Sequence, residues 1–134
     1  MYRIIILLLC MAVAACADNK SPTQAAPIGD KATLERLAKE YNKLAEGVPV
    51  SPWQLKPADR KDFVVKVFAA SGYSYSATLH QMAQGGWDPN DSNSKELVNL
   101  LFMPHTNIHS GDGIQGVYTE QELADVRKVQ RMMP

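Results

Sequence analysis

At 134 residues, with 14 Lys and Arg against 14 Asp and Glu, the chain has room for one hydrophobic core and carries no net positive charge. Nucleic acid is excluded as a partner on that ground, because phosphate binding needs a clustered basic footprint. Both cysteines, Cys10 and Cys16, fall at the N-terminus, so the domain that follows has no thiol for catalysis, no disulfide and no cysteine ligand for a metal.

In chain order, Met1-Tyr2-Arg3 supplies a short positive start, Ile4 to Ala15 an apolar run, and Ala14 and Ala15 a small-residue end, which is the anatomy of a signal peptide. The uncharged run reaches only to Ala17, well short of the ~20 residues that span a bilayer. The four residues Val13-Ala14-Ala15-Cys16 resemble the bacterial lipobox, and the resemblance implies a cleaved signal peptide over residues 1–15 and a diacylated Cys16 as the first mature residue. Several acyl chains, at about 0.8 kcal/mol per buried methylene, hold a domain far more firmly than one. Aspartate directly after the lipidated cysteine favours retention in the inner membrane of Gram-negative bacteria. Ala17 stands there, so the resemblance points to the outer membrane, with the domain facing the periplasm. Loss of Arg3 would leave the mature chain one basic residue short of its acidic ones.

Residues 16–29 read as the lipidated cysteine and a flexible linker, because Ala17 to Gly29 hold two prolines, no aromatic and one large aliphatic side chain. Such a linker spans about 20 Å on average. Residues 30–134 form the expected domain. Leu34, Leu37, Tyr41 and Leu44 at spacings of 3, 4 and 3 predict a first helix, with Asp30 as N-cap and Gly47 just beyond its end. Pro49 and Pro52 make the stretch around Trp53 irregular. Pro57 then opens a second helix that carries Phe63, Val64, Val67 and Phe68 and stops at Gly72.

A third helix is expected from Ser74 or Ser76 to Gln84, ended by Gly85-Gly86, and a fourth from Asn93, paired with Glu96 in a capping box, to a stop at Pro104. A fifth begins at Thr119, with Glu122 three residues on and a stripe of Leu123, Val126, Val129 and Met133. No segment alternates as a strand does. The expectation is an all-α class, a compact single domain of about five short helices on a flexible N-terminal tether.

Two groups of residues suggest chemistry. The connection from Pro104 to Tyr118 is long for a link between helices, and it holds His105, His109 and Asp112, two imidazoles and a carboxylate of the kind that bind zinc in an open three-ligand site. It also holds Gly111-Asp112-Gly113-Ile114-Gln115-Gly116, a literal GxGxxG that lacks the preceding strand and following helix of a dinucleotide site. Asp88, Asn90, Asp91 and Asn93 imitate the start of a calcium loop, but its sixth place is Asn93 and its twelfth Asn99, where glycine and glutamate belong. Ser92 and Lys95 match SxxK without a KTG partner.

The second group is aromatic. Trp53, Tyr73, Tyr75, Trp87 and Tyr118 fall in connections or at helix edges, where such side chains serve either as lids on the core or as anchors at a protein interface. With no nucleophile paired to a base, the leading expectation is a non-enzymatic module that binds another envelope protein, needs no cofactor beyond the lipid on Cys16, and contacts the bilayer through that lipid. Its layout resembles that of secretion-system pilot lipoproteins and of helical immunity lipoproteins. The alternative is a metal-binding lipoprotein or metal-dependent hydrolase using His105, His109 and Asp112.

Overall fold

A computed structural model describes residues 23–105 and 116–134. Among these, five α-helices and two 3₁₀ turns account for the regular structure, and there is no strand. Helix α1 covers Lys31–Ala45, and its N-terminus is closed by Asp30, which accepts from the Ala32 amide at 3.3 Å and from the Thr33 hydroxyl at 2.8 Å. Gly47 lies just beyond its end and its cap Glu46, as expected. Gly47 is not in the left-handed region, and the chain leaves through tight turns from the Gly47 amide to the Leu44 carbonyl and from the Val48 amide to the Ala45 carbonyl, each 3.1 Å.

A 3₁₀ turn at Pro52–Gln54 leads into α2, Pro57–Ala70, with proline in the first helical position as expected. Its C-terminus is a Schellman motif. Gly72, at φ 89°, lets the Tyr73 amide reach back to the Phe68 carbonyl at 2.8 Å and the Gly72 amide to Ala69 at 3.0 Å. Helix α3, Tyr75–Ala83, follows at once, capped by the Ser74 hydroxyl on the Ala77 amide at 3.1 Å.

Helix α4 is Ser92–Leu101, and its cap, Asp91, lies two residues before the expected Asn93. Asp91 takes the cap because its carboxylate accepts both the amide and the hydroxyl of Ser94, at 3.0 and 3.1 Å, while the Asn93 amide group donates instead to the Gly29 carbonyl at 3.3 Å. Pro104 falls within the second 3₁₀ turn, Met103–His105, just past the helix end. Helix α5, Glu120–Met132, begins with the expected capping box: the Glu122 amide donates to the Thr119 hydroxyl at 3.1 Å, and the Thr119 amide to Glu122 at 2.9 Å.

The interior is assembled from all five helices. Leu37, Val64, Val67, Phe68, Leu79, Met82, Leu97, Leu101, Val126 and Val129 are almost wholly buried. Edge-to-face ring pairs, Tyr41 on Phe63 at 5.1 Å and Phe68 on Tyr75 at 5.7 Å, tie α1 to α2 and α2 to α3. Helices α3 and α5 run in the same direction, since Ser76 meets Glu122 at 2.8 Å and, one turn further along both, His80 meets Asp125 at 3.1 Å.

The last part of the expected linker belongs to the domain. The Gln24 carbonyl accepts from the Ser74 amide at 2.8 Å, the Ala26 amide donates to the Thr78 hydroxyl at 2.9 Å, and Ala26 is fully buried. Composition misleads here, because a chain with few apolar side chains of its own can still order when backbone groups find partners on a preformed helix.

Candidate functional site

Exposure separates the aromatic residues into two kinds. Tyr75 and Tyr118, expected among possible anchors, are core residues at 2% and 8% exposure. Tyr75 packs on Phe68 and donates its hydroxyl to the Leu101 carbonyl at the end of α4. Burial pushes its pKa well above the usual tyrosine value, and the neighbouring Tyr118 adds to the shift. Burial likewise pushes Tyr118 up to about 12. Neither ring can reach a partner without unfolding the domain. Tyr73 and Trp87 are half-buried against the core. The Trp87 indole donates at 2.7 Å to the Met82 carbonyl at the end of α3, which also accepts from the Gly85 amide at 3.1 Å, so this side chain is first of all a lid.

Trp53 is different. It is 41% exposed and Val50, three residues earlier in the chain, 45%, and these are the exposed large apolar side chains among the described residues. Pro49 and Pro52 restrict the backbone on either side, and the 3₁₀ turn is closed by the Gln54 amide on the Ser51 carbonyl at 2.8 Å. The Trp53 side chain also hydrogen-bonds the Tyr41 hydroxyl, which partly offsets the upward push of burial on that tyrosine. The indole is therefore held with its polar end satisfied and its ring facing solvent.

The connection that carries Val50 and Trp53 forms one wall of a groove of about 380 Å³. Leu44 from the last turn of α1, Val48 and Leu55 from the connection and Phe63 from α2 give it an apolar lining. Asp59, Asp62 and Lys66 line the α2 side. Lys66 bonds Asp62 at 2.9 Å, whereas Asp59 is in no ion pair among the described residues. Sequence reasoning assigned Leu44 and Phe63 to the core and left Val48, Val50 and Leu55 without a role. The apolar side chains interspersed with Pro49 and Pro52 were the available signal, because prolines hold side chains out of a helix and in fixed directions.

The zinc ligand set is not brought together in what the structure describes. His105 is half-buried in the second 3₁₀ turn, and its Nε2 lies 3.1 Å from the Gln130 amide nitrogen. Burial lowers its pKa. His109 and Asp112 lie outside the described residues, as do Cys16 and the glycines at 111 and 113. Within the described residues no three His, Cys, Asp or Glu side chains are close enough to share one metal ion. The calcium-like residues are occupied with backbone work: Asp88 accepts from the Asn90 amide at 2.9 Å, and Asp91 caps α4.

A polar seam along α3 and α5 went unread in the sequence. Glu122, buried between them, accepts from the Lys61 ammonium, the Ser76 hydroxyl and the Thr119 amide. Lys61 also donates to the Val117 carbonyl at 2.8 Å. Asp125, at 1% side-chain exposure, is met by His80 Nδ1 and by the Gln121 amide at 3.1 Å. The seam joins α2, α3 and α5 through charge-assisted hydrogen bonds, and the carboxylate that receives the Ser76 hydroxyl is also held by Lys61 and the Thr119 amide.

Compared with protein-family models, with curated proteins and with solved structures, the chain matches none of them. No helix among the described residues is long and apolar enough to cross a membrane.

Proposed function

We propose that this chain is a lipid-anchored protein of the bacterial envelope, held by acylated Cys16, whose helical domain binds another envelope protein without catalysing a reaction. The observation that supports binding is the exposed Trp53, carried with Val50 on the connection whose Val48 and Leu55 line an apolar groove. Tryptophan is the residue most enriched at binding hot spots, and a preorganised ring loses little entropy on docking. The anchoring part rests on the lipobox alone. Between Cys16 and the docked Gln24 roughly eight residues remain, a fully extended reach of about 27 Å, so an anchored domain would meet its partner close to the membrane surface. Pilot-like and immunity-like roles both fit this arrangement.

Two substitutions test the binding reading together. Trp53→Ala is expected to leave the melting temperature near wild type and to weaken recovery of the partner by about thirtyfold, the loss of a hot-spot anchor worth at least ~2 kcal/mol. Trp87→Ala is expected to melt early, because it removes a packed ring and the donor to Met82. Thermal melts run beside crosslinked pull-downs from whole envelopes check both. Equal recovery by wild type and Trp53→Ala would show that Trp53 is no anchor.

A further inference from the structure

An apolar groove alone says little about what fills it, but the charges on this one are unevenly placed. Of its charged lining residues Lys66 is held by Asp62 at 2.9 Å, and Asp59 has no ion partner among the described residues. Asp59 lies on the same face of α2 as Asp62, Phe63 and Lys66, at helical spacings of three, four and seven, so it borders the apolar lining directly. Any segment that closes over Leu44, Val48, Leu55 and Phe63 must shed water from that carboxylate as well. Burying it against a neutral or acidic segment leaves an unpaired charge in a dry contact, which is costly. A segment with its own cation there turns the cost into a charge-assisted hydrogen bond, and a guanidinium can engage both carboxylate oxygens at once.

We infer that the groove beside Trp53 receives a partner protein's segment bearing an apolar side chain and, next to it, an arginine or lysine that pairs with Asp59. The inference rests on the protein-binding reading and adds the chemistry of the partner. The lining carries two carboxylates to one lysine, the wrong sign for an anionic lipid surface, so a protein segment fits it better than the bilayer does.

The test uses the full chain in cells, with p-benzoylphenylalanine in place of Val50, the exposed residue that lies in the chain between the groove-lining Val48 and Leu55, and sequencing of the crosslinked segment. The expected result is a segment of another protein with Arg or Lys within a helical turn of the crosslinked residue. Asp59→Lys is expected to lower the yield about tenfold with only a small drop in melting temperature, the cost of losing a carboxylate from the first turn of α2, and Asp59→Asn to lower the yield less. Reversing the partner's cation to Glu is expected to restore the yield with Asp59→Lys. A crosslinked segment without a nearby cation, or a yield unchanged by Asp59→Lys, overturns the charge pairing and leaves protein binding standing. Crosslinks to lipid alone, to a second copy of this chain, or to nothing overturn the inference and the binding reading together.

Discussion

Tyr75→Ala is expected to cost the domain about 3 to 5 kcal/mol, the range for truncating a buried aromatic ring, out of a total that for domains of this size is about 5 to 15 kcal/mol. The ring is 2% exposed, stacks edge-to-face on Phe68 and closes the end of α4 through the Leu101 carbonyl. It thus serves three helices at once. Tyr75→Phe separates the two contributions: it keeps the ring and leaves the Leu101 carbonyl without its donor, for an expected loss of about 1 to 3 kcal/mol. Urea titration followed by circular dichroism measures both. A Tyr75→Ala domain as stable as wild type would mean that the ring is not part of the core, and would return it to the set of possible anchors.

The second large effect is expected at Glu122. Its carboxylate receives the Lys61 ammonium, the Ser76 hydroxyl and the Thr119 amide, so Glu122→Ala removes at one stroke the acceptor for α2, for α3 and for the start of α5. Breaking a buried ion pair by deleting one partner costs about 3 to 5 kcal/mol. Lys61 keeps some contact with water and the Val117 carbonyl, which places this case at about 3. The same carboxylate makes stability depend on pH. Burial alone would raise its pKa, but the hydrogen bonds from Lys61, Thr119 and Ser76 and the Lys61 charge outweigh burial and hold it below the ordinary value of 4.5. A group whose folded pKa is depressed contributes stability that is present above the unfolded value and lost as pH falls through the folded one. The wild-type melting temperature is therefore expected to fall on acidification from pH 5 to pH 3, and that of Glu122→Gln, already lower at pH 7, to fall less. Parallel curves for the two proteins would show that this carboxylate does not titrate differently on folding.

What the sequence discloses is mostly what is local. Asp30, Pro57, Ser74 and the Thr119/Glu122 pair mark helix starts correctly, since a cap is decided by residues within one turn of each other. The stripe Phe63, Val64, Val67, Phe68 is legible for the same reason. At the start of α4 the local rule was ambiguous: Asp91 and Asn93 could each cap, and the choice fell to the residue whose carboxylate takes two donors from Ser94, while Asn93 found a partner far away at Gly29. Non-local contacts also decide which helix-edge aromatics face inward. Tyr75 and Trp53 occupy similar places in the pattern, yet the end of α4 crosses Tyr75, whereas Trp53 keeps 41% of its surface exposed.

Burial of a charge is harder still to read. Arg60 stands at a helical spacing from Val64 and Val67 and is only 3% exposed, with Nε and Nη1 free of hydrogen bonds to the described residues. A basic residue so placed in a sequence is ordinarily assigned to the wet face, where most arginines lie. The candidate groove shows both limits. The exposed Trp53 on its connection was legible as a possible anchor, but the groove's lining was not, because Leu44 and Phe63 belong to core stripes and only the path of the Val48 to Leu55 connection leaves Leu44 partly open.

Everything proposed about where the domain works depends on Cys16. The most direct test is metabolic labelling with an alkyne analogue of palmitate in a bacterium that expresses the chain, with Cys16→Ser and Cys10→Ser beside it. Label on the wild type and on Cys10→Ser, with none on Cys16→Ser and accumulation of its unprocessed form, is the result this account predicts. Label that persists on Cys16→Ser, or a wild-type chain that takes up none, would contradict it.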